Sequence, residues 1–135
     1  MIGIIVIGHA NFAEGIGSAV ELIAGKQEAY INLTFENTMT LDNFNELIKD
    51  AIEKLDNKIG TLIFTDLKGG TPYREASSLS LQYDNVHVIT GTNLAMMIEA
   101  AMMRTTVIDI ENFAQNLIEV GSDQIMRFDK SSLDF

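Results

Sequence analysis

The chain has 135 residues, close to the common size of one domain, with 47% hydrophobic and 21% charged residues, an ordinary globular balance. Nineteen acids against nine bases leave a formal charge of −10, and so acidic a surface repels phosphate backbones and anionic lipid, which argues against binding nucleic acid or a membrane surface. There is no cysteine, which excludes disulfides, thiolate metal sites, iron–sulfur clusters and cysteine nucleophiles together.

No run reaches the roughly eighteen apolar residues of a membrane helix, and the apolar N-terminus lacks the basic region and the length of a signal peptide. A single proline, no internal repeat and no low-complexity segment lead to the expectation of one cytoplasmic domain over residues 1–135.

Along the chain, apolar strands alternate with helical periods. Residues 2–7 form a continuous β-branched run closed by Gly8, the pattern of a strand buried on both faces of a parallel sheet. Phe12, Ile16, Val20 and Ile23 then repeat at helical spacing, and Gly25 ends the run as a helix-terminating glycine does. A second strand is expected over 29–34. Thr40 can cap a helix whose apolar face is Leu41, Phe44, Ile48 and Ile52, with Leu47 and Leu55 beside it. Gly60 precedes a third strand at 61–65, and Pro72 opens a helix to about Leu81. A fourth strand at 86–90 is followed by a helix over 93–103, an extended link at 106–109 and a last helix over 111–120 that stops at Gly121. Residues 123–128 fit either a short strand or a continued helix. Strand–helix units at this spacing imply right-handed crossovers and an α/β domain: an open, mostly parallel four-stranded sheet with helices on both faces.

In such sheets ligands sit outside the carboxyl ends of the strands, where the strand order reverses. The polar residues there are His9 and Asn11 after the first strand, Glu36 and Asn37 after the second, Asp66 to Pro72 after the third, and Thr92 and Asn93 after the fourth. With strand order 2-1-3-4, His9 and Asp66 meet at the crevice. A carboxylate that accepts the proton of one imidazole nitrogen fixes the tautomer and leaves the other nitrogen as nucleophile or base. Gly69 and Gly70 can turn backbone N–H groups toward an anion, the Thr71 hydroxyl can donate to it or cap, and Pro72 starts a helix whose dipole favours negative charge. The blander readings are a histidine satisfied by a carbonyl, an aspartate that only shapes a turn, and a glycine pair that is only a tight turn. No Walker pattern and no Gly-x-Gly-x-x-Gly after the first strand is present, so no nucleotide cofactor is expected. No cluster of acids converges on these motifs, so no metal is expected either. His87, within the fourth strand, reads as structural, and Met96, Met97, Met102 and Met103 read first as core. The acids Asp42, Glu46, Asp50 and Glu53 read as a solvated face, or as a surface for a basic partner.

Ile-Gly-His-x-x-x-Ala-x-Gly at 7–15 and Thr-Asp-Leu-x-Gly-Gly-Thr-Pro-Tyr at 65–73 resemble the IIA components of the mannose class of the bacterial sugar phosphotransferase system (PTS). The resemblance spans essentially the whole chain, including Gly-x-Asn-x-x-Met-Met at 91–97. It implies a cytoplasmic phosphoryl carrier in which His9 accepts a phosphoryl group from the phosphocarrier protein HPr and passes it to a IIB domain or subunit. Asp66 would orient the ring, and Gly69, Gly70 and Thr71 would hold the phosphoryl oxygens. The family also implies a homodimer with a short C-terminal strand exchanged between subunits, a role that falls to residues 124–128. Two departures stand out: Ala10 where many members have Gly, and Lys68 at a variable position. Competing readings are a phosphoryl-donor subunit for dihydroxyacetone kinase, a regulatory IIA-like module of a transcriptional activator, and a flavodoxin-like ligand-binding domain. The sugar is chosen by membrane subunits and is not written in this chain.

Overall fold

The structure, a computed structural model, describes residues 1–133 and 135. Its elements run β1 (Gly3–His9), α1 (Phe12–Ala24), β2 (Tyr30–Phe35), α2 (Leu41–Lys54), β3 (Thr61–Thr65), α3 (Thr71–Ser80), β4 (Val86–Ile89), α4 (Leu94–Met103), a 3-10 turn (Arg104–Thr106) and α5 (Ile110–Ser122). The four strands form one parallel sheet in the order β2-β1-β3-β4, the order anticipated from the crevice argument.

Each strand's two-residue period divides the core. Ile4, Val6, Leu62 and Phe64 point to a cluster closed by Val20 of α1, Met97 and Ala100 of α4, and Phe113 and Leu117 of α5. Ile5, Ile7 and Ile63 point the other way, toward Phe44, Ile48 and Ile52 of α2 and Ala76 and Leu79 of α3. β1 is buried on both faces, which is why residues 2–7 carry an unbroken apolar run instead of an alternating one. Side-chain caps start three of the helices. Thr40 accepts from the Asn43 N–H at 3.1 Å, Asn93 from the Met96 N–H at 3.2 Å and Asp109 from the Asn112 N–H at 3.1 Å. Asn93 also donates through Nδ2 to the Gly121 carbonyl at 2.8 Å, tying the start of α4 to the end of α5.

Several local expectations need correction. Thr71 is not the cap of α3: the helix already includes it, Gly70 occupies the cap position, and no side chain caps that end. Residues 123–128 form neither strand nor helix, because α5 ends at Ser122, and Ile125, Met126 and Phe128 are left exposed. The methionines divide. Met96 and Met97 are core, whereas Met102 and Met103 face outward in the last turn of α4. Ile23 is exposed as well, since the apolar stripe of α1 leaves the sheet before the helix ends.

At the amino end of the sheet lies a buried cation that the sequence does not advertise. Arg104, only 2% exposed, donates from one terminal nitrogen to the carbonyls of Ile2 at 2.9 Å and Ala29 at 3.0 Å. Its other terminal nitrogen donates to Gln27 Oε1 at 3.1 Å and to the Glu28 carbonyl. One side chain thereby ties the loop before β2 to the start of β1. Burial lowers the Arg104 pKa, opposed by Tyr30 and Glu28. Burial likewise pushes the Tyr30 phenol up to about 12, opposed by the Arg104 charge.

Candidate functional site

β1 and β3 are neighbours, and each is followed by a helix on the opposite face of the sheet, so the crevice at their carboxyl ends is a switch point. His9 is the last residue of β1, and Asp66 follows the last residue of β3. They meet there: His9 Nδ1 lies 2.8 Å from Asp66 Oδ2. The same oxygen accepts the His9 backbone N–H at 2.8 Å, and Oδ1 accepts the Leu67 N–H at 2.8 Å. A carboxylate can only accept, so Nδ1 carries the ring proton and Nε2 of the neutral ring presents its lone pair. The His9 side chain is 42% exposed and that of Asp66 10%. Burial by itself would raise the Asp66 pKa, but the hydrogen bonds from the His9 N–H, the His9 ring and the Leu67 N–H outweigh it and hold the carboxyl below its ordinary value.

The loop over 66–70 passes close to the imidazole. Gly69 has φ +78°, a left-handed conformation that glycine adopts without strain. Gly70 donates its N–H to the Leu67 carbonyl at 3.1 Å, so this group closes a turn instead of facing an anion, contrary to the nest drawn from the glycine pair. Its lack of a side chain matters more. A Cβ at Gly70 would stand 3.2 Å from His9 Cε1, close enough to push the ring. The Thr71 hydroxyl makes no hydrogen bond with any described residue, and Thr71 opens a helix whose first-turn N–H groups have no side-chain cap. No hydrogen bond joins Gly69 or Thr71 to His9; Asp66 holds the imidazole and Gly70 borders it.

On the other side of His9 lies an open cleft of about 370 Å³ lined by His9, Ala10, Asn11, Phe35, Glu36 and Asn37. Ala10 has φ +48°, a left-handed backbone that glycine would adopt freely and into which an alanine is strained. Phe35 lies outside both sequence motifs. It ends β2 in register with His9, and its ring meets the imidazole edge to face at 5.8 Å. No local pattern marks it, because the contact exists only through the pairing of β1 with β2 at His9 and Phe35. A more enclosed hollow of about 190 Å³ sits at the opposite end of the sheet between Ile52, Asn57, Tyr83 and Val86; it holds no histidine. Among the described residues no group of three or more histidines and acids could hold a metal ion, and no helix is long and apolar enough to cross a membrane.

The arrangement is that of an open parallel α/β domain with its polar groups gathered at the carboxyl edge of the sheet. The family model EIIA-man, described as the PTS system fructose IIA component, matches residues 3–118, and the chain belongs to this family. It is 35% identical over 99 residues to the sorbose-specific EIIA component of the PTS from Lacticaseibacillus casei, covering 73% of this chain and 71% of that one. Among solved structures, the phosphotransferase component EIIA from Streptococcus agalactiae superposes with a TM-score of 0.87 at 33% identity, over 95% of this chain and 98% of that one. The mannose/sorbose specific IIA subunit from Enterococcus faecalis gives 0.83 at 28% identity, over 98% of each.

Proposed function

We propose that this chain is a phosphoryl carrier of a bacterial sugar phosphotransferase system, with His9 as the acceptor. The observation that carries the reading is the free Nε2 of a half-exposed His9 whose Nδ1 is held by Asp66 at 2.8 Å, at the switch point of the sheet. In the first transfer the Nε2 lone pair attacks the phosphorus of phospho-HPr. The new N–P bond forms as the donor's N–P bond breaks, and that electron pair returns to the donor imidazole. Nδ1 keeps its proton throughout, and the Asp66 carboxylate balances the positive charge that develops on the ring. The second transfer runs the same displacement from His9 to a IIB domain or subunit. Most of the acceleration comes from positioning the reactants and stabilising charge. Gly70 gives the ring room, while Gly69 and Thr71 complete a loop and helix start suited to the phosphoryl oxygens.

The chain acts as one domain over residues 1–135 in the cytoplasm and meets the membrane only through the rest of the transporter. Its −10 charge fits protein partners with basic rims and disfavours nucleic acid. Exposed Ile125, Met126, Phe128 and Leu133 support a homodimer in which the segment after α5 finds cover on a second copy. The test is intact mass after incubation with phosphoenolpyruvate, enzyme I and HPr, for the wild type and His9→Ala. One acid-labile phosphoryl group, absent in a folded His9→Ala protein, is the expected result. A folded wild type that takes up none would overturn the reading. Chase of the label onto a IIB protein, and not through a dihydroxyacetone kinase, separates the sugar carrier from its nearest competitor.

A further inference from the structure

We infer that Phe35 is a positioning residue for His9, setting the direction in which Nε2 faces; this rests on the phosphoryl-acceptor reading above. The imidazole is held at three places. Asp66 holds Nδ1 at 2.8 Å, the bare Cα of Gly70 borders Cε1, and the Phe35 ring meets it perpendicularly with centroids 5.8 Å apart. The Asp66 bond alone restrains Nδ1 and leaves the ring free to rock in χ1 and χ2 over the range that one hydrogen bond tolerates. A perpendicular aromatic contact removes that freedom, because tilting would lose the favourable edge-to-face geometry.

Phe35 can do this because it is itself held. Its ring packs on Phe44 at 4.9 Å, and Phe44 is fully buried on the inner face of α2. Its backbone is fixed too: Phe35 pairs in register with His9, and its carbonyl accepts the Ala10 N–H at 3.3 Å. The path from the packed core to the reacting nitrogen is therefore two aromatic contacts long. In-line transfer requires the Nε2 lone pair to point at the incoming phosphorus, so a loosened ring lowers the fraction of encounters that react.

The test compares Phe35→Leu, which keeps apolar packing on Phe44, with Phe35→Tyr, which keeps the ring. Single-turnover transfer from phospho-HPr at several donor concentrations separates the maximal rate from donor affinity, and ¹³C relaxation of the His9 ring reads its mobility in the free protein. The maximal rate of Phe35→Leu is expected to fall about five-fold, the size of one aromatic contact. Donor affinity should stay unchanged, His9 ring motion should increase, and Phe35→Tyr should restore both rate and order. A Phe35→Leu protein that transfers at full rate would overturn the inference, as would a Phe35→Tyr protein equally slow with weakened donor binding, since Phe35 would then be a docking contact. If the wild type accepts no phosphoryl group, the carrier reading fails by itself. Ring relaxation still decides the contact, because unchanged His9 order in Phe35→Leu would refute the positioning role.

Discussion

The two ends of the sheet solve opposite problems with similar materials. At the amino end a guanidinium is 2% exposed, and its terminal nitrogens are bonded to three carbonyls and an amide. At the carboxyl end the His9 side chain is 42% exposed, one ring nitrogen is bonded and the other is free. The first is a polar group whose bonding serves the fold, the second one that keeps bonding capacity in reserve. A buried polar cluster contributes to stability when its donors are matched, as the terminal nitrogens of Arg104 are although its Nε is not, whereas chemistry needs an unmatched atom that solvent and partners can reach. Substitutions at the amino end should therefore change stability alone, and those at the carboxyl end should change transfer as well.

Arg104→Met gives the largest expected effect on stability. The substitution keeps an apolar stem but leaves the carbonyls of Ile2 and Glu28 without the donor that Arg104 supplies, while the Ala29 carbonyl loses one of two and keeps the Ile4 N–H at 3.0 Å; each lost bond at a carbonyl left bare costs about 1–3 kcal/mol. Partial access to water near Glu28 and Ala29 moderates the sum to about 3 kcal/mol. The urea midpoint should fall accordingly, while transfer per folded molecule stays at the wild-type value, because no part of this network reaches His9. A loss below about 1 kcal/mol would mean that the amino end is as tolerant as an ordinary surface.

Asp66→Asn tests the carboxyl end, where stability and transfer should both respond. Asp66 Oδ1 accepts one N–H and Oδ2 accepts two donors, so an amide NH₂ at either place faces a donor. The amide should turn its nitrogen toward Leu67, sacrificing one bond there instead of two at His9. Stability then falls by about 1–2 kcal/mol. Transfer slows by about 10–100-fold, because the ring keeps an acceptor but loses its negative partner. The pH dependence has a definite sign. The native-state pKa of Asp66 is lowered, so its stabilisation is fully present above the ordinary carboxylate pKa near about 4 and is lost as pH falls through the lowered value. The stability gap between wild type and Asp66→Asn should stay constant from neutral pH down to about 4 and shrink below it. A gap that grows in acid would contradict the hydrogen-bond account.

Legibility in the sequence follows the same division. The strands can be read because apolar β-branched runs mark buried parallel strands and chemistry gathers at their carboxyl ends, whereas the order 2-1-3-4, on which the meeting of His9 with Asp66 depends, is an assumption at the level of sequence that the structure bears out. The Gly69–Gly70 pair misled in part. Glycine announces conformational freedom, and only the fold shows that the Gly70 N–H closes a turn while its missing side chain admits the imidazole. Thr before Pro is a common helix start and points to Thr71 as a cap, yet the helix begins one residue earlier and includes it. Arg104 and Phe35 were illegible for another reason. Their roles depend on long-range neighbours, the carbonyl of Ile2 in one case and the ring of His9 in the other, and no local pattern carries that information. The segment 123–128 was ambiguous in the sequence because it lacks both periods, and in the single chain it has no sheet partner among the described residues.

The smallest expected effect lies beside the acceptor. Ala10 adopts φ +48° between His9 and α1. A left-handed alanine costs about 1–2 kcal/mol, and Ala10→Gly removes that strain. Glycine also frees the unfolded chain, which takes back about 0.4–1 kcal/mol. The net gain is therefore about 0.5 kcal/mol, readable as a small rise in the urea midpoint. Because the Ala10 N–H is tied to the Phe35 carbonyl at 3.3 Å, the left-handed turn is fixed by strand pairing and not by the residue in it. Transfer should then be unchanged by the glycine. A slower Ala10→Gly protein would show instead that the alanine's stiffness helps aim the histidine, and that part of the positioning runs through the backbone as well as through the aromatic ring.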